Sequence, residues 1–171
     1  MSNRRIYQGE LHAHFVTFSC FRRRRILDAD PCKRIVLGTL GQTLRANDGR
    51  CIGFVIMPNH AHAVLWFPRA DCLSDHMNRW KSDSSHRVKL WLQRYRAEYV
   101  RRIAEHDNVW QARYYDFNIY SEGKLIEKLE YMHQNPVRAG LADEPVQWQW
   151  SSARWYMNRK PVGIPIWYPN G

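Results

Sequence analysis

The stretch CIGFVIMPNHAHAVLWF, residues 51–67, holds two runs of β-forming residues with a short connection between them. Both runs are rich in Ile, Val, Phe, Leu or Trp, which favour strands. Met57, Pro58 and Asn59 lie between the runs, and proline and asparagine are common in turns. The stretch therefore predicts an antiparallel hairpin with strands at 51–57 and 60–67.

Upstream and downstream of this hairpin, strand-like and helical patterns alternate. Residues 11–21 are rich in β-forming residues and predict a strand that ends at a block of arginines. Residues 31–45 begin with proline and carry apolar residues at helical spacing, so they predict a helix. Residues 73–106 contain few Gly or Pro and predict a long helix, for which a break around 82–85 stays open.

The last elements complete a recognisable order. Residues 113–121 predict a strand, and Ser121 can cap a helix that stops at Asn135 and Pro136. The order β-α-β-β-α-β-α predicts an α+β protein with a ferredoxin-like (RRM-like), mainly antiparallel sheet that carries helices. Because no linker or repeat divides the chain, we expect a single domain over 1–171. Its core spans about 11–145, and a Trp- and Pro-rich tail spans about 146–171.

Composition excludes several classes of protein. No apolar run approaches the roughly 20 residues of a membrane span. The N-terminus lacks the apolar core of a secretory signal, so we expect a cytoplasmic protein without a membrane partner. The four cysteines form no C-x-x-C pair, which favours buried thiols over a zinc knuckle or a disulfide framework.

The charge balance indicates a polyanionic partner. Lys and Arg number 26 against 16 Asp and Glu, which gives a formal net charge of +10. The charges cluster in the block Arg22, Arg23, Arg24 and Arg25 and in the segment 94–102, with aromatic residues interleaved. Clustered cations and aromatic rings suit phosphates and stacked bases, so we favour nucleic-acid binding over a merely soluble basic protein.

Two His-x-His pairs are candidate metal ligands. In a strand, residues i and i+2 face the same side, so His60 and His62 project together, as do His12 and His14. Two neutral imidazoles can chelate a divalent ion, although polar residues at a strand end give the same pattern. The spacing does not separate the two pairs.

The helix over 124–135 has an apolar and a polar side. The apolar side carries Leu125, Ile126, Leu129 and Met132 and is expected to face the core. The polar side carries Lys124, Glu127, Lys128, Tyr131 and Asn135. Tyr131 and Asn135 are one i, i+4 step apart and are therefore neighbours. Periodicity alone favours an ordinary surface or partly buried tyrosine at position 131.

Four motifs in this order resemble one family of enzymes. They are MPNHAHAVLWF (57–67), VWQARYYD (109–116), LEYMHQNPVRAGL (129–141) and WQWSS (148–152). The sequence is similar, from about His14 to Arg154, to the REP-associated tyrosine transposases. These are relatives of the single-tyrosine insertion-sequence transposases and belong to the HUH endonucleases. The resemblance implies the HUH-endonuclease fold and makes the pair at 12 and 14 structural.

The resemblance implies a catalytic site and a reaction. His60 and His62 take the metal-pair positions, with Ala61 as the small apolar residue between them, and Asn135 takes the position of the third ligand. Tyr131 takes the position of the catalytic tyrosine, which forms a 5′-phosphotyrosine and releases a 3′-OH. The implied cofactor is a divalent metal, Mg²⁺ or Mn²⁺, with no nucleotide cofactor. One departure is Phe117, which stands where relatives often carry histidine.

The resemblance also implies a substrate. It is single-stranded DNA folded into hairpins at palindromic repeats, bound by a monomer or a homodimer. The candidate contacts to DNA are Arg22, Arg23, Arg24 and Arg25, the segment 94–102, and Lys124 and Lys128 beside Tyr131. Two alternatives stay open at this stage: a non-catalytic protein that only binds palindromes, and a structural zinc site at His60 and His62.

Overall fold

The predicted hairpin is the centre of a four-stranded antiparallel sheet. The computed structural model of the protein describes residues 12–98 and 108–169. The strands are β1 (His12–Ser19), β2 (Arg50–Ile56), β3 (His60–Phe67) and β4 (Tyr115–Asn118), in the spatial order β2-β3-β1-β4. The Met57 N–H donates to the His60 carbonyl at 2.8 Å and closes the hairpin turn.

Among the described residues, four helices accompany the sheet, and the first three follow the order that the sequence predicts. They are α1 (Asp30–Ala46), α2 (Cys72–Tyr95), α3 (Glu122–Arg138) and α4 (Ala153–Asn158). Two single 3₁₀ turns lie at Phe21–Arg23 and Pro145–Gln147. The predicted α+β, ferredoxin-like arrangement is confirmed, with α4 and the 3₁₀ turns as additions. In the described part of the chain, no helix is long and apolar enough to cross a membrane.

The sheet has a core on each face because the side chains of its strands alternate. On one face, Ala61, Leu65 and Phe67 of β3 contribute to the core that α1 and α2 cover. On the other face, Val64 packs in the core formed with Leu125, Leu129 and Met132 of α3. His60 and His62 share the alternation of Val64, and they therefore point to the α3 side.

Helix α2 continues without a break through residues 82–85, although the sequence pattern allowed a break there. Ser84 is fully buried, and its hydroxyl donates to the Lys81 carbonyl at 3.3 Å and accepts from Trp110 Nε1 at 3.0 Å. The serine thus satisfies its hydroxyl without interrupting the helix. The helix ends at Tyr95, because Arg96 has a non-helical backbone, so the prediction of one helix as far as residue 106 was wrong. Residues 99–106 of the predicted helix lie outside the described residues.

Helix α3 continues through Pro136 to Arg138, so the prediction that it stops at Asn135 and Pro136 was wrong. Only two helical residues follow the proline, and Pro136 itself is buried against the protein. Near a helix end, the proline removes little further helix hydrogen bonding, and packing offsets that loss. Ile126, assigned to the apolar side, is 45% exposed.

The C-terminal segment covers the outer edge of β2. The Ile56 N–H donates to the Trp150 carbonyl at 2.8 Å, and the Ser152 N–H donates to the Phe54 carbonyl at 2.9 Å. Trp150 Nε1 also donates to Asp30 Oδ1 of α1 at 3.0 Å. The segment therefore shields a strand edge that would otherwise expose unpaired backbone groups.

A glycine in β2 allows α3 to approach the sheet. A β-bulge between Cys51 and Gly53 shifts the register, and Gly53 pairs with Val64 on the α3 side. A Cβ atom at Gly53 would lie 2.5 Å from Leu129 Cδ2 and 3.1 Å from Met132 Cε. No side chain larger than hydrogen fits between β2 and α3 without a shift of the helix side chains.

Replacement of this glycine is expected to destabilise the protein. Gly53→Ala should lower the free energy of unfolding by about 1–3 kcal/mol, because it overpacks a filled core. Urea denaturation measures the change. Gly38→Ala is the matched control: Gly38 is exposed on α1 with nothing within 4 Å of an added Cβ. It should stabilise the protein, by up to about 1 kcal/mol. Equal effects of the two substitutions would contradict the packing argument.

One histidine is part of the core between the sheet and α2. His76 is fully buried, with its ring 5.1 Å from Phe67 and 5.9 Å from Trp80. Burial lowers the pKa of His76 from 6.5 to about 4. The folded protein therefore holds this imidazole neutral at pH values where the unfolded chain protonates it.

Acid is expected to weaken the fold through this residue. The unfolded chain binds the additional proton as the pH falls below about 6.5, so stability falls from there down to about pH 4. His76→Phe should reduce the loss of unfolding free energy between pH 7 and pH 4 by on the order of 3 kcal/mol. Urea denaturation at several pH values checks this. An unchanged pH dependence in the variant would contradict it.

Candidate functional site

The two histidines of the hairpin lie side by side at the start of β3. Their ring centroids are 4.8 Å apart, with the rings at a steep angle to each other. His62 is buried, whereas His60 is partly exposed. The small Ala61 between them points to the opposite face and packs in the other core. The strand thus presents two imidazoles to the same cleft.

Hydrogen bonds set the tautomer of both imidazoles. Asn135 Nδ2 donates to His62 Nε2 at 2.9 Å, so Nδ1 carries the proton and donates to Thr17 Oγ1 at 2.6 Å. His60 Nδ1 donates to Asn59 Oδ1 at 2.7 Å. In both rings the Nε2 atom is therefore unprotonated and retains its lone pair. Nε2 is the atom through which each ring would bind a metal ion.

Burial keeps both imidazoles neutral. The pKa of His60 is lowered from 6.5 to about 4, first by burial and then by the charge of Arg23. The pKa of His62 is lowered to about 3 by burial, by His60 and by the charge of Arg138. At neutral pH both rings are unprotonated, which is the state that can coordinate a metal ion.

Helix α3 places a tyrosine next to these rings. Tyr131 is 45% exposed, and its ring centroid lies 5.5 Å from His62 and 6.1 Å from Phe15. Asn135 follows one helical turn later on the same side and reaches His62. Tyr131, Asn135 and the two histidines, which are far apart in the sequence, therefore meet at one place.

Tyr131 and the two histidines line a cleft of about 330 Å³ between the sheet and α3. It is lined by Phe15, Thr17, Ser19, Arg23, His60, His62, Tyr115, Lys128 and Tyr131. Lys128 Nζ lies over the rings of Phe117 and Phe15, at 4.6 and 5.1 Å from their centroids. Phe117, the departure from the family pattern, thus forms an aromatic support for a lysine.

Other predicted DNA contacts lie outside this cleft. The guanidinium groups of Arg22 and Arg24 lie by the ring of Phe21, and Arg25 pairs with Asp28 at 2.8 Å. Lys124 pairs with Glu127 at 2.7 Å. Of the arginine block, Arg23 lines the cleft. In the predicted basic segment, residues 99–102 lie outside the described part of the chain.

His14, from the other His-x-His pair, lies on a different face of the sheet from His60 and His62. His14 lies on the side of Val16 and Phe18, which is opposite to α3, and its Nδ1 contacts Asp116 Oδ1 at 3.0 Å. His14 thus lies on the opposite face of the sheet from His60 and His62, whose face α3 covers. In the described residues, no group of three His, Cys, Asp or Glu side chains converges. The candidate set at the cleft therefore includes an amide as third member.

Sequence reasoning missed three residues of the site. Thr17 and Phe15 lie in β1 and reach the cleft through the β1–β3 register, which pairs Thr17 with His62. Arg138 lies over the Tyr131 ring at 4.6 Å. Its spacing of seven residues from Tyr131, two helical turns, was the available signal.

Comparison with known proteins identifies the family. The profile of the IS200-like transposases matches residues 7–135. The chain belongs to this transposase family. The recognition from sequence motifs is thereby confirmed, and the protein is a DNA transposase by class. Among curated proteins, no sequence matches it.

Two solved structures resemble this transposase. A REP-associated tyrosine transposase bound to a REP hairpin matches with a TM-score of 0.68 and 19% identity, over 96% of this chain and 92% of the other. A transposase of Deinococcus radiodurans R1 matches with a TM-score of 0.51 and 17% identity, over 78% of this chain and 97% of the other. At these identities the likeness concerns the fold.

Thr17 is expected to stabilise the transposase through His62. Thr17→Val keeps the side-chain shape but leaves the buried Nδ1–H without an acceptor, so the free energy of unfolding should fall by about 1–3 kcal/mol. Thr17→Ser keeps the hydroxyl and should lose clearly less. Urea denaturation at pH 7.5 compares the two variants. A larger loss in the serine variant would show that the methyl group, and not the hydrogen bond, matters.

Proposed function

We propose that this transposase is a metal-dependent endonuclease and strand transferase that cleaves single-stranded DNA near hairpin-forming palindromes. The observation that carries the proposal is that Tyr131, His60 and His62 meet in one cleft and that Asn135 contacts His62 beside it. A tyrosine nucleophile next to two neutral imidazoles and an amide suits metal-assisted cleavage of a phosphodiester.

The residues of the cleft fit a divalent cation, Mg²⁺ or Mn²⁺. His60 and His62 would hold it through their Nε2 lone pairs. Asn135 would hold it through its amide oxygen after the amide group turns, because the Nδ2 atom of the same amide donates to His62 Nε2 at 2.9 Å in the structure. The bound cation would polarise the scissile phosphate and stabilise its charge. A structural zinc site needs four nitrogen or sulfur ligands, and the described residues gather no such set here. An open, catalytic site is therefore the better assignment.

Tyr131 is the proposed nucleophile. Its Oη atom forms a bond with phosphorus while the bond from phosphorus to O3′ breaks, which gives a 5′-phosphotyrosine and a free 3′-OH. The phenol gives up one proton and the 3′ oxygen takes one up, so the step is balanced. The phosphotyrosine conserves the energy of the phosphodiester, so a 3′-OH can reverse the step and rejoin strands without a nucleotide cofactor.

Cations around the cleft provide the sites for the DNA backbone. Lys128 and Arg23 both line the cleft, and Lys128 is held there by two aromatic rings. We assign them to the phosphates flanking the cleaved bond. We assign the remaining arginines of the block, together with Lys124, to more distant phosphates. The similar structure that contains a REP hairpin supports hairpin DNA as the ligand.

The proposal predicts a covalent protein–DNA adduct that depends on Tyr131. We expect the wild type, incubated with Mn²⁺ and labelled hairpin oligonucleotides made from the inverted repeats around its gene, to form an adduct that survives denaturing electrophoresis. Tyr131→Phe keeps the ring contacts but lacks the nucleophile, and it should form none. Tyr120→Phe, at an exposed tyrosine outside the cleft lining, should react like the wild type.

Chelation separates the catalytic from the structural interpretation of the metal. EDTA should abolish the adduct and leave the melting temperature within about 2 °C, because a core of this size does not depend on a metal ion. No adduct from the wild type would contradict the proposed cleavage and favour a protein that only binds palindromes. A large drop in melting temperature with EDTA would indicate structural zinc.

A further inference from the structure

Arg138 contacts the proposed nucleophile at two points. Its Nη2 atom donates to the backbone carbonyl of Tyr131 at 2.6 Å. Its guanidinium carbon lies 4.6 Å from the centroid of the Tyr131 ring. From these contacts we propose that Arg138 is a positioning residue that fixes the Tyr131 side chain for attack. This inference rests on the proposed function, because it assumes that Tyr131 reacts.

The helix places Arg138 for this role. Seven residues make almost two full turns, so Arg138 stands on the same side of α3 as Tyr131. The continuation of α3 beyond Pro136 is therefore necessary: a helix that stopped before the proline would not bring Arg138 back over the ring. The planar guanidinium can donate to the carbonyl and face the ring at the same time, which the ammonium of a lysine cannot reproduce.

Tyr131 needs such a contact because burial does not fix it. Its side chain is 45% exposed, and the neighbouring rings of Phe15 and His62 approach at steep angles, 81° and 76°. An exposed tyrosine exchanges between side-chain rotamers unless contacts select one. A nucleophile displaced by about 1 Å can lose about 100-fold in rate, so the selection of one rotamer matters.

The charge of Arg138 is also available to the reaction. Among the described residues, no carboxylate lies within ion-pairing distance of its guanidinium group. A cation without an ionic partner at this position lies 4.6 Å from the centre of the phenol ring, which would lose a proton in the proposed reaction. Arg138 thus combines a steric task with an electrostatic one, and a substitution should affect the chemical step more than DNA binding.

Three variants test the inference. Arg138→Gln removes the charge and the planar guanidinium group, whereas Arg138→Lys retains the charge. Arg79→Gln is a charge-matched control at an exposed arginine of α2. At saturating hairpin DNA and Mn²⁺, Arg138→Gln should slow adduct formation about 10- to 100-fold. Its Kd for the DNA should change less than about threefold. Arg138→Lys should recover part of the rate, and Arg79→Gln should match the wild type.

A spectroscopic measurement separates this inference from the proposed function. In protein with ¹³C-labelled tyrosine rings, Tyr131→Phe assigns the Tyr131 signal, and Arg138→Gln should shift or broaden that signal without DNA. An unmoved signal with an unchanged rate would overturn the inference, as would a loss confined to Kd. If the wild type forms no adduct while the signal shifts, the contact is real and the proposed function is what fails.

Discussion

The hydrogen bond from Asn135 to His62 is the contact on which the site depends, because it joins α3 to the central hairpin. It can form only if the helix lies close to the sheet. Gly53 permits that approach, and Leu129 and Met132 occupy the space that a side chain there would fill. Packing of apolar residues therefore sets the distance between α3 and the sheet. The hydrogen bond between Asn135 and His62 then fixes the orientation of these two side chains at the cleft end of the interface.

A second polar contact holds the same helix from its buried side. His133 Nε2 lies 2.8 Å from Ser152 Oγ, and that hydroxyl also contacts the Phe54 backbone. Ser152 belongs to the WQWSS motif, which is distant from the cleft in sequence and covers the edge of β2. The motif thus affects the cleft indirectly, because it fixes the helix that carries Tyr131. This placement gives a physical reason why a tryptophan-rich segment accompanies the motifs that form the cleft.

The sequence predicted what depends on periodicity and local turns. The hairpin, the alternation that separates Ala61 from His62, and the cap at Ser121 all follow from neighbouring residues, and each is observed. Features that depend on packing were missed. Pro136 is tolerated within α3 because it is buried near the helix end, and Thr17 reaches His62 only through the β1–β3 register. Such contacts arise between segments whose register no local pattern specifies.

The cations around the cleft act both on DNA attraction and on the protonation of two histidines. In this transposase, with a net charge of +10, His60 and His62 are unprotonated among cations that would also attract a polyanion. The same cations help to do this, since the charges of Arg23 and Arg138 add to burial in lowering the pKa values of His60 and His62. Basic residues near the cleft therefore attract phosphate, and the same positive charges disfavour protonation of the imidazoles. An acidic residue in their place would oppose both, because it would repel the DNA backbone and raise the pKa of the rings. The cationic surroundings thus help to keep both imidazoles unprotonated.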